Sequence, residues 1–434
     1  MHRSDNPSSI RGNGAQKFAS TDIGIMIEKW SSLLPPASLV PRQSSTLEPI
    51  EIVVLLTGST GALGADFLDA LVRDDRVGHI YTLNRAPSVV DRQRAALNLR
   101  ELDPEIVSSD KVTSLEGDVS RAGLGLNTHI LNKLKQSVTH IIHNAWLVRF
   151  IAPLSEFEGY IEGAFSLLDI AASSPHGAQF IYTSSVGIAH FWDFEKHGSV
   201  VPEEAHEFPE ASSGLGYIES KYVMERLLDR AAQIGHRASV LRLGQICGST
   251  ETGVWPTSEW IPIMIKTSFA LGCLPLRDTD LLWVPDNILA GALLDYITAS
   301  EPLPDLMTFV HPQPSTWSKV FNDIGAALGG IPVVPITDWM AKLEALAKIA
   351  TAEDYRRAPA LKILPLFRAM VEDSRRDRPG KPLQFASDKA RRFSPTLRNV
   401  PPIQHEHARA WVRYWEKQGF IQPNKPVNPT QSRL

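Results

Sequence analysis

Short apolar runs alternate with amphipathic helical patterns over the first half of the chain. The first run, IEIVVLLT, spans residues 50–57 and leads directly into the helical pattern ALGADFLDALVRD. Similar runs follow at HIYTLNR, KVTSLEGDV, THIIHNA, QFIYTSS and SVLRLGQICG. Continuous apolar runs separated by helices are typical of strands that are buried on both faces of a parallel sheet. The pattern therefore predicts an α/β fold built on a doubly wound parallel sheet.

The regular alternation covers only part of the chain and predicts three regions. We expect residues 1–49 to hold a disordered tail, an amphipathic helix and a Pro/Ser-rich linker, and residues 50–250 to form the sheet domain. Residues 251–434, rich in Trp, Pro and helical patterns, are expected to form mainly a smaller, mostly helical substrate domain. Segments within about residues 281–328 read as one more strand and helix that return to the sheet. The helix near the start is expected over Asp22 to Leu34, with apolar residues at Ile23, Ile25, Met26, Trp30 and Leu33.

Composition narrows the class of protein further. Of the 434 residues, 43% are apolar and 21% are charged, which is ordinary for a globular chain, and the net charge of −4 does not favour a nucleic-acid partner. The two cysteines, Cys247 and Cys273, lack the spacing of a zinc site or a disulfide scaffold, so we expect no metal. The most apolar window is too short to span a bilayer, and the first residues lack the apolar core of a signal peptide. We expect a cytoplasmic monomer that is not a membrane protein.

A glycine-rich turn separates the first predicted strand from its helix. Gly58, Gly61 and Gly64 stand at positions i, i+3 and i+6, which suits a tight turn, close approach of a pyrophosphate and tight packing of helix on strand. The helix beginning near Ala62 offers N–H groups and a positive dipole end to an anion. We therefore expect a nucleotide to bind the turn through Thr57, Gly58, Thr60, Gly61, Ala62, Leu63 and Gly64.

The end of the second predicted strand favours NADP over NAD. Where an acidic residue would bind the 2′-hydroxyl of NAD, the sequence has Asn84 and Arg85. The Arg85 guanidinium suits a 2′-phosphate, and Arg92 or Arg94 offers a second donor. A solvated loop position for Arg85 is the alternative.

Candidate catalytic groups lie further along the chain. Tyr217 and Lys221, four residues apart, share one face of a predicted helix, and QFIYTSS ends in Thr183, Ser184 and Ser185. A phenol with a pKa near 10 is a poor acid at neutral pH, and a nearby ammonium would lower its pKa towards usefulness. A hydroxyl from the serine run would help to hold the substrate oxygen.

These motifs together resemble the extended short-chain dehydrogenase/reductases. TGSTGALG, IYTSSVG and YIESK carry that resemblance. LNR followed by RQR, LEGDVS, IIHNAW, GYIESKYVMERLL, LRLGQICG and EWIPIMIKTSFALGCLPL are similar to the terminal thioester reductase domains of fungal synthetase-like and polyketide megasynthases, and to related domains of carboxylic acid reductases. The likeness runs from about Ile25 to Ile421.

The resemblance implies a Rossmann domain that binds NADPH and reduces an acyl thioester carried on the phosphopantetheine arm of an acyl- or peptidyl-carrier protein. The product is an aldehyde, with further reduction to the alcohol left open. By position, the family pattern implies a catalytic triad of Ser185, Tyr217 and Lys221. It implies further cofactor contacts at Asn84, Arg85, Arg94, Asp118, Val119, Asn144, Ala145, Trp146, Tyr217, Lys221, Gly244 and Gln245. Trp146 departs from the small residue that is frequent at this position in the wider superfamily.

Two other functions fit parts of the sequence. One is an extended reductase or epimerase that acts on a free small molecule, and the other is a regulator that binds NADP without catalysis. The Trp/Pro-rich second half argues against the first, and the Tyr/Lys pair argues against the second. Between Glu353 and Arg398 the chain has twelve Lys/Arg and six Asp/Glu, a basic excess that is a candidate contact for an acidic carrier protein.

Overall fold

The computed structural model describes residues 21–37, 51–149, 152–376 and 383–422. Its main element is a seven-stranded, fully parallel sheet in the order β7-β6-β5-β4-β1-β2-β3. The strands are β1 (Ile52–Thr57), β2 (Val77–Asn84), β3 (Val112–Glu116), β4 (His140–His143), β5 (Gln179–Ser185), β6 (Ala238–Leu243) and β7 (Leu306–Phe309).

Sixteen α-helices are assigned in the described part of the chain, together with six short 3-10 helices. The helices beside the main sheet are α1 (21–31), α2 (Ala62–Arg73), α3 (Val89–Leu99), α4 (Thr128–Ser137), α5 (Glu158–Ser173), α6 (Phe194–His197) and α7 (Gly216–Gln233). Later in the chain come α8 (Trp260–Leu271), α9 (Asp286–Ile297), α10 (Trp317–Ala327), α11 (Ile336–Ala347), α12 (Ala352–Arg357), α13 (Leu364–Arg376), α14 (Asp388–Phe393), α15 (Pro395–Arg398) and α16 (His405–Lys417).

The central strands are buried on both faces because the two sides of the sheet carry separate hydrophobic cores. Leu55, Ile141 and Phe180 belong to the core on one face, while Leu56 and Ile142, their neighbours in sequence, belong to the core on the other. This explains why these strands appear as unbroken apolar runs. The predicted doubly wound α/β fold is confirmed.

The strand order fixes where a ligand can bind. The chain moves outward from β1 through β2 to β3, then returns to place β4 on the other side of β1. At such a topological switch point the loops after neighbouring strands diverge, and a crevice opens outside the carboxyl ends of the strands. The glycine turn after β1 and the Asn144 loop after β4 flank this crevice.

The C-terminal part of the chain forms a mostly helical unit around its own core, as predicted. This core contains the buried indoles of Trp255, Trp339, Trp411 and Trp415. Strand β7 pairs with β6 and so joins the main sheet. The helix that follows it differs from the expectation, because α10 buries Trp317 and its apolar neighbours in the C-terminal core instead of against the sheet.

Four short parallel or antiparallel strand pairs complete the described structure. They join Val200–Val201 to Gln384–Phe385, Ile246–Cys247 to Val284–Pro285, Leu274–Leu276 to Val333–Pro335, and Asp280–Leu281 to Ser315–Thr316.

The amphipathic helix near the start is present as α1, and it packs against the core of the sheet domain. Ile23, Ile27 and Trp30 are buried, with Trp30 packed edge-on against Phe165, whereas Ile25 is 62% exposed. The face that contacts the core is therefore rotated from the one expected, because Ile27 replaces Ile25 at the contact. The expected tail at 1–20 and most of the linker, residues 38–50, lie outside the described residues.

A buried ion cluster joins helices α2 and α9 to the end of α3. Arg100 Nε donates to Asp66 at 2.9 Å, and the same guanidinium contacts Asp286. All three side chains are buried. No helix within the described ranges is long and apolar enough to cross a membrane.

Candidate active site

A cleft with a volume of about 560 Å³ lies at the switch point, along the carboxyl ends of β1 to β6. Most of the site residues expected from the sequence line it. These are Gly58, Thr60, Gly61, Ala62, Leu63, Asn84, Arg85, Asp118, Val119, Asn144, Ala145, Trp146, Ser185, Tyr217, Lys221 and Gly244. The structure therefore brings together residues from six strand ends, as a long ligand with several recognisable parts requires.

The glycine turn fits a dinucleotide because Gly58 and Gly61 line the cleft while the turn packs closely on its neighbours. Gly58 has a φ of +82°, and a Cβ there would lie 3.0 Å from the backbone of Ala145. A Cβ on Gly64, which faces inward and does not line the cleft, would lie 2.1 Å from the carbonyl oxygen of Gly58. Helix α2 begins directly after Gly61, and no side chain caps it. Its first N–H groups are thus available to an anion.

Asn84 fastens the glycine turn to the end of β2. Its Oδ1 accepts from the Thr60 N–H at 3.3 Å, and its Nδ2 donates to Ser59 Oγ at 2.8 Å. Gln93 of α3 donates to the same serine hydroxyl at 2.7 Å. Because Asn84 uses both ends of its amide within the protein, its main role in this structure is to hold the turn in place.

Thr57, also expected at the site, lies beneath the cleft and does not line it. Its buried Oγ1 accepts from the N–H groups of Asn144 and Ala145 at 3.1 and 3.0 Å, and it lies 3.0 Å from His143 Nδ1. One hydroxyl therefore connects the end of β1 to the start of the loop after β4. Thr57 shapes the cleft through that loop.

The two candidate arginines on α3 have different positions. Arg92 lines the cleft and donates from Nη2 to the carbonyl of Arg85. Arg94 points away, where its Nη2 donates to Ser108 Oγ at 2.8 Å and lies 3.7 Å from Glu105. The structure thus brings Arg85 and Arg92 together at the cleft, and it does not bring Arg94 there.

The loops after β3 and β6 contribute one side of the cleft each. Asp118 accepts from the N–H and hydroxyl of Ser120 at 2.9 and 2.7 Å, which orders the turn that carries Val119. After β6, Gly244 lines the cleft, whereas Gln245 does not, because its Oε1 accepts from Trp260 Nε1 at 2.9 Å. Gln245 therefore links this loop to α8 of the C-terminal unit.

Helix α7 brings the candidate catalytic tyrosine and lysine into the cleft. It begins at Gly216, where a Cβ would lie 2.0 Å from the carbonyl oxygen of Ala152, so the helix start packs on backbone. One turn later, Lys221 Nζ donates to the carbonyl of Thr183 at 2.6 Å. Tyr217 lies between these contacts, and its ring centroid is 5.7 Å from Lys221 Nζ.

Ser185, at the end of β5, completes the predicted triad at the same wall of the cleft. Its Oγ accepts from the Gly187 N–H at 3.1 Å, which leaves the hydroxyl hydrogen to donate elsewhere. The neighbouring Ser184 directs its hydroxyl to Glu225 of α7.

Burial governs the electrostatics of the cleft. It lowers the pKa of Lys221 to about 7, with a smaller opposing effect of the Glu225 carboxylate. It also raises the pKa of Tyr217 to about 12, which is opposite to the lowering expected from the sequence, because the loss of hydration outweighs the nearby amine. At neutral pH the tyrosine is therefore a protonated phenol, which can donate a proton but does not accept one.

The indole of Trp146 forms a wall next to Lys221. Its Nε1 donates to Ser220 Oγ at 3.0 Å, and Lys221 Nζ lies 4.8 Å from the ring centroid. Beyond it, Leu147 and Val148 continue the lining, and Val148 is 65% exposed. The cleft thus opens through an apolar mouth beside Trp146.

Several lining residues were not found by sequence reasoning. They are Leu83, Gly117, Leu147, Val148, Tyr160, Leu243 and Ile246. Thr183 and Ser184, which the sequence offered together with Ser185 as candidate hydroxyls, line the cleft too. Leu147 and Val148 directly follow the expected Asn-Ala-Trp segment, so extending that motif by two residues would have included them. Tyr160 lies on α5, a helix with no signature that points to the site.

Comparison with known proteins agrees with this geometry. The model of the male sterility protein family, an NAD-binding family, matches residues 56–293. An adenylate-forming reductase, Nps11 of Serpula lacrymans, is 37% identical over 85% of this chain, which covers 35% of that protein. A carboxylic acid reductase of Neurospora crassa is 30% identical over 90% of this chain, which covers 37% of that protein. The chain thus spans about a third of the length of these relatives.

A solved structure shares the fold over nearly the whole chain. It is the terminal R domain from the myxalamid PKS-NRPS biosynthetic pathway, with a TM-score of 0.79 at 23% identity. The match covers 94% of this chain and 100% of that domain. It includes the helical C-terminal unit as well as the parallel sheet.

Proposed function

We propose that this chain, which belongs to the male sterility protein family, is an NADPH-dependent thioester reductase. Its cleft joins a dinucleotide turn to a Ser/Tyr/Lys group. Its substrate is an acyl thioester on the phosphopantetheine arm of a carrier protein, and its product is an aldehyde. The observation that carries the proposal is the position of Tyr217, Lys221 and Ser185 in one cleft with the open glycine turn.

The residues of the cleft suit each part of the cofactor. Gly61 and the first N–H groups of α2 would hold the pyrophosphate, and Arg85 with Arg92 would hold a 2′-phosphate. Asp118 and Val119 would contact the adenine. Lys221 would bind the nicotinamide ribose near Gly244. When bound, the cofactor supplies the hydride that reduces the substrate carbonyl.

Side chains of the protein carry out the proton transfer. Tyr217, protonated at neutral pH, donates its proton to the carbonyl oxygen as the carbon gains the hydride, and the Ser185 hydroxyl donates a hydrogen bond to that oxygen. The product is a hemithioacetal. Its C–S bond then breaks, the sulfur leaves as a free thiol with the hydroxyl proton, and the aldehyde remains. The Lys221 ammonium favours this proton donation, because it stabilises the tyrosine anion that remains, and the tyrosine then regains a proton from solvent.

The carrier protein would approach the apolar mouth of the cleft and the C-terminal unit. Within the basic segment of that unit, four arginines are paired with carboxylates, in the pairs Arg356–Glu353, Arg368–Glu344, Arg391–Asp388 and Arg392–Glu301. The side chains of Arg375, Arg376 and Arg378 lie outside the described residues. We keep these three as the candidate carrier contact, and unchanged turnover of carrier-bound substrate after their charge reversal would reject it.

The function is tested by oxidation of NADPH with three substrate classes, namely acyl-pantetheine thioesters, free acids and ketones. We expect turnover with thioesters, release of one thiol for each aldehyde, and weaker activity with NADH. In Tyr217→Phe, the loss of the proton donor should lower turnover by about 10²- to 10⁴-fold. Activity on ketones alone would instead indicate a reductase of free small molecules, and undiminished turnover in the Phe variant would exclude the triad.

A further inference from the structure

Three residues of helix α7 contact the end of strand β5 in matching order. Tyr217, Lys221 and Glu225 follow one another at intervals of four and so share one face of the helix. Lys221 Nζ donates to the carbonyl of Thr183, and the next residue of β5, Ser184, donates its hydroxyl to Glu225. The two contacts fix how far α7 is displaced along β5, and therefore where Tyr217 lies relative to Ser185.

Glu225 is itself held from the opposite side by a fully buried arginine. Arg242 of β6 donates from Nη2 to one carboxylate oxygen at 2.6 Å and from Nε to the other at 3.3 Å. Arg242 stands beside Ser184 in the β5–β6 ladder. The same guanidinium donates to the carbonyls of Pro202 and Glu204 at 3.0 and 3.2 Å. Every polar atom of the pair thus has a partner in the wall behind the cleft.

A buried ion pair of this kind is not explained by stability alone. An apolar pair of similar volume is often equally stable or more so, because both charges lose their hydration. Glu225 is 1% exposed and Arg242 is 0% exposed. The arrangement therefore points to a role in positioning or in charge at the neighbouring lysine.

The charged and titratable groups around Lys221 come from four elements. Glu225 and Tyr217 lie on α7, Tyr182 on β5, His143 on β4, and Arg242 on β6. Burial lowers the pKa of His143 to about 3 and raises the pKa values of both tyrosines, so these three groups are neutral at pH 7. Among the described groups that act on Lys221, the Glu225 carboxylate is the one that favours its charged form.

We propose that Glu225 is a positioning residue of the reductase, which sets the register of α7 on β5 through Ser184 and places a carboxylate one helical turn from Lys221. The first role is geometric and the second is electrostatic. The catalytic consequence of this role rests on the proposed function. The effect of Glu225 on Lys221 is a property of the ligand-free protein.

The electrostatic role is tested by titrating Lys221 in the ligand-free protein. Trp146 reports on it, because Lys221 Nζ lies 4.8 Å from the indole ring. Each variant is measured with and without Trp146→Phe, and the difference in fluorescence isolates the signal of Trp146 from that of the other tryptophans. In Lys221→Met the pH dependence of this Trp146 signal should be lost. We expect a midpoint near pH 7 in the parent, and in Glu225→Gln a midpoint lower by roughly one pH unit.

Asp286→Asn is the matched control. This variant also removes the carboxylate charge from a buried ion pair with an arginine. That ion pair, between Asp286 of α9 and Arg100, lies outside the cleft. Asp286→Asn should leave the Lys221 midpoint unchanged. A folded Glu225→Gln protein with the parent midpoint would overturn the electrostatic role, as would an equal shift in Asp286→Asn.

The geometric role is tested by Ser184→Ala, which keeps the Glu225–Arg242 pair and removes only its link to β5. We expect kcat for acyl-pantetheine reduction to fall about tenfold, with an unchanged KM and an unchanged Lys221 midpoint, because misplacement affects the reacting geometry. A parent kcat in this variant would overturn the geometric role, and this result decides the question if Glu225→Gln does not fold. If no thioester is reduced by the parent but the midpoint still shifts in Glu225→Gln, the proposed function fails and the charge relationship stands.

Discussion

The α-carbon of Gly64 packs on the backbone of Gly58, so that a Cβ at Gly64 would lie 2.1 Å from the Gly58 carbonyl oxygen. Neither group can move without shifting the turn or the helix. Gly64→Ala should therefore lower the free energy of unfolding by about 3 kcal/mol, measured by urea denaturation, and also abolish cofactor binding.

Gly61 provides the contrast to this variant. A Cβ there would lie 3.4 Å from the same carbonyl, an ordinary contact, and its φ of −94° suits any residue. Gly61→Ala should unfold at nearly the parent urea concentration but bind NADPH more weakly, because the methyl group would occupy the path of the pyrophosphate. Equal loss of stability in the two variants would contradict this division between a packing glycine and a binding glycine.

Variants of Arg92 and Arg94 test the proposed preference for NADPH. Arg92→Ala should weaken NADPH binding by about tenfold or more while NADH binding changes little, because a charge-assisted contact to the 2′-phosphate is lost. Arg94 lies two residues further along α3, and its side chain donates to Ser108. Arg94→Ala removes the same charge outside the cleft, so it should leave the affinities for NADPH and NADH unchanged. Isothermal titration with the two cofactors measures the four values. A similar loss in both variants would point to a general field effect instead.

Buried Lys221 makes stability depend on pH. Its pKa is about 7 in the folded protein and 10.5 in the unfolded chain, so the unfolded state binds more protons between these values. Stability therefore rises with pH across this window. Between pH 7 and 9 the free energy of unfolding should increase by about 2 kcal/mol relative to Lys221→Met, which lacks the titrating group. Urea denaturation of both proteins at the two pH values gives this difference, and parallel behaviour would show that the lysine is not buried as described.

The sequence predicted the sheet and the local part of the site because both depend on short-range patterns. QFIYTSS matches strand β5 residue for residue, and the interval of four between Tyr217 and Lys221 places them on one helical face. Glu225 stands on the same face but carries no signature of its own. Its importance depends on Arg242, which lies on another strand and reaches it only through the tertiary fold.

The direction in which individual side chains point could not be predicted from the sequence either. Arg92 and Arg94 are equally plausible phosphate ligands in the sequence, and the choice between them depends on Ser108, which belongs to a later turn that receives the Arg94 side chain. Thr57 was expected to bind the cofactor because it begins the glycine motif. Its side chain alternates inward, as the pleat of β1 requires, and it acts on the loop after β4 instead.

That role of Thr57 leads to a prediction about how the cleft is held open. Thr57→Val keeps the shape of the side chain but removes the hydroxyl that accepts from the N–H groups of Asn144 and Ala145, and it leaves these donors without that partner. An unpaired donor costs about 1–3 kcal/mol when it is fully buried. Both N–H groups are partly buried, so we expect a loss of about 1 kcal/mol in the free energy of unfolding, and weaker NADPH binding. Thr57→Ser retains the hydroxyl and loses only a methyl group. Its affinity for NADPH should therefore lie closer to the parent value than its free energy of unfolding does. Since both variants differ from the parent by a single small group, denaturation and cofactor titration together separate the hydrogen bonds from the packing. Parent affinity in Thr57→Val would mean that the Asn144 loop keeps its position without this threonine.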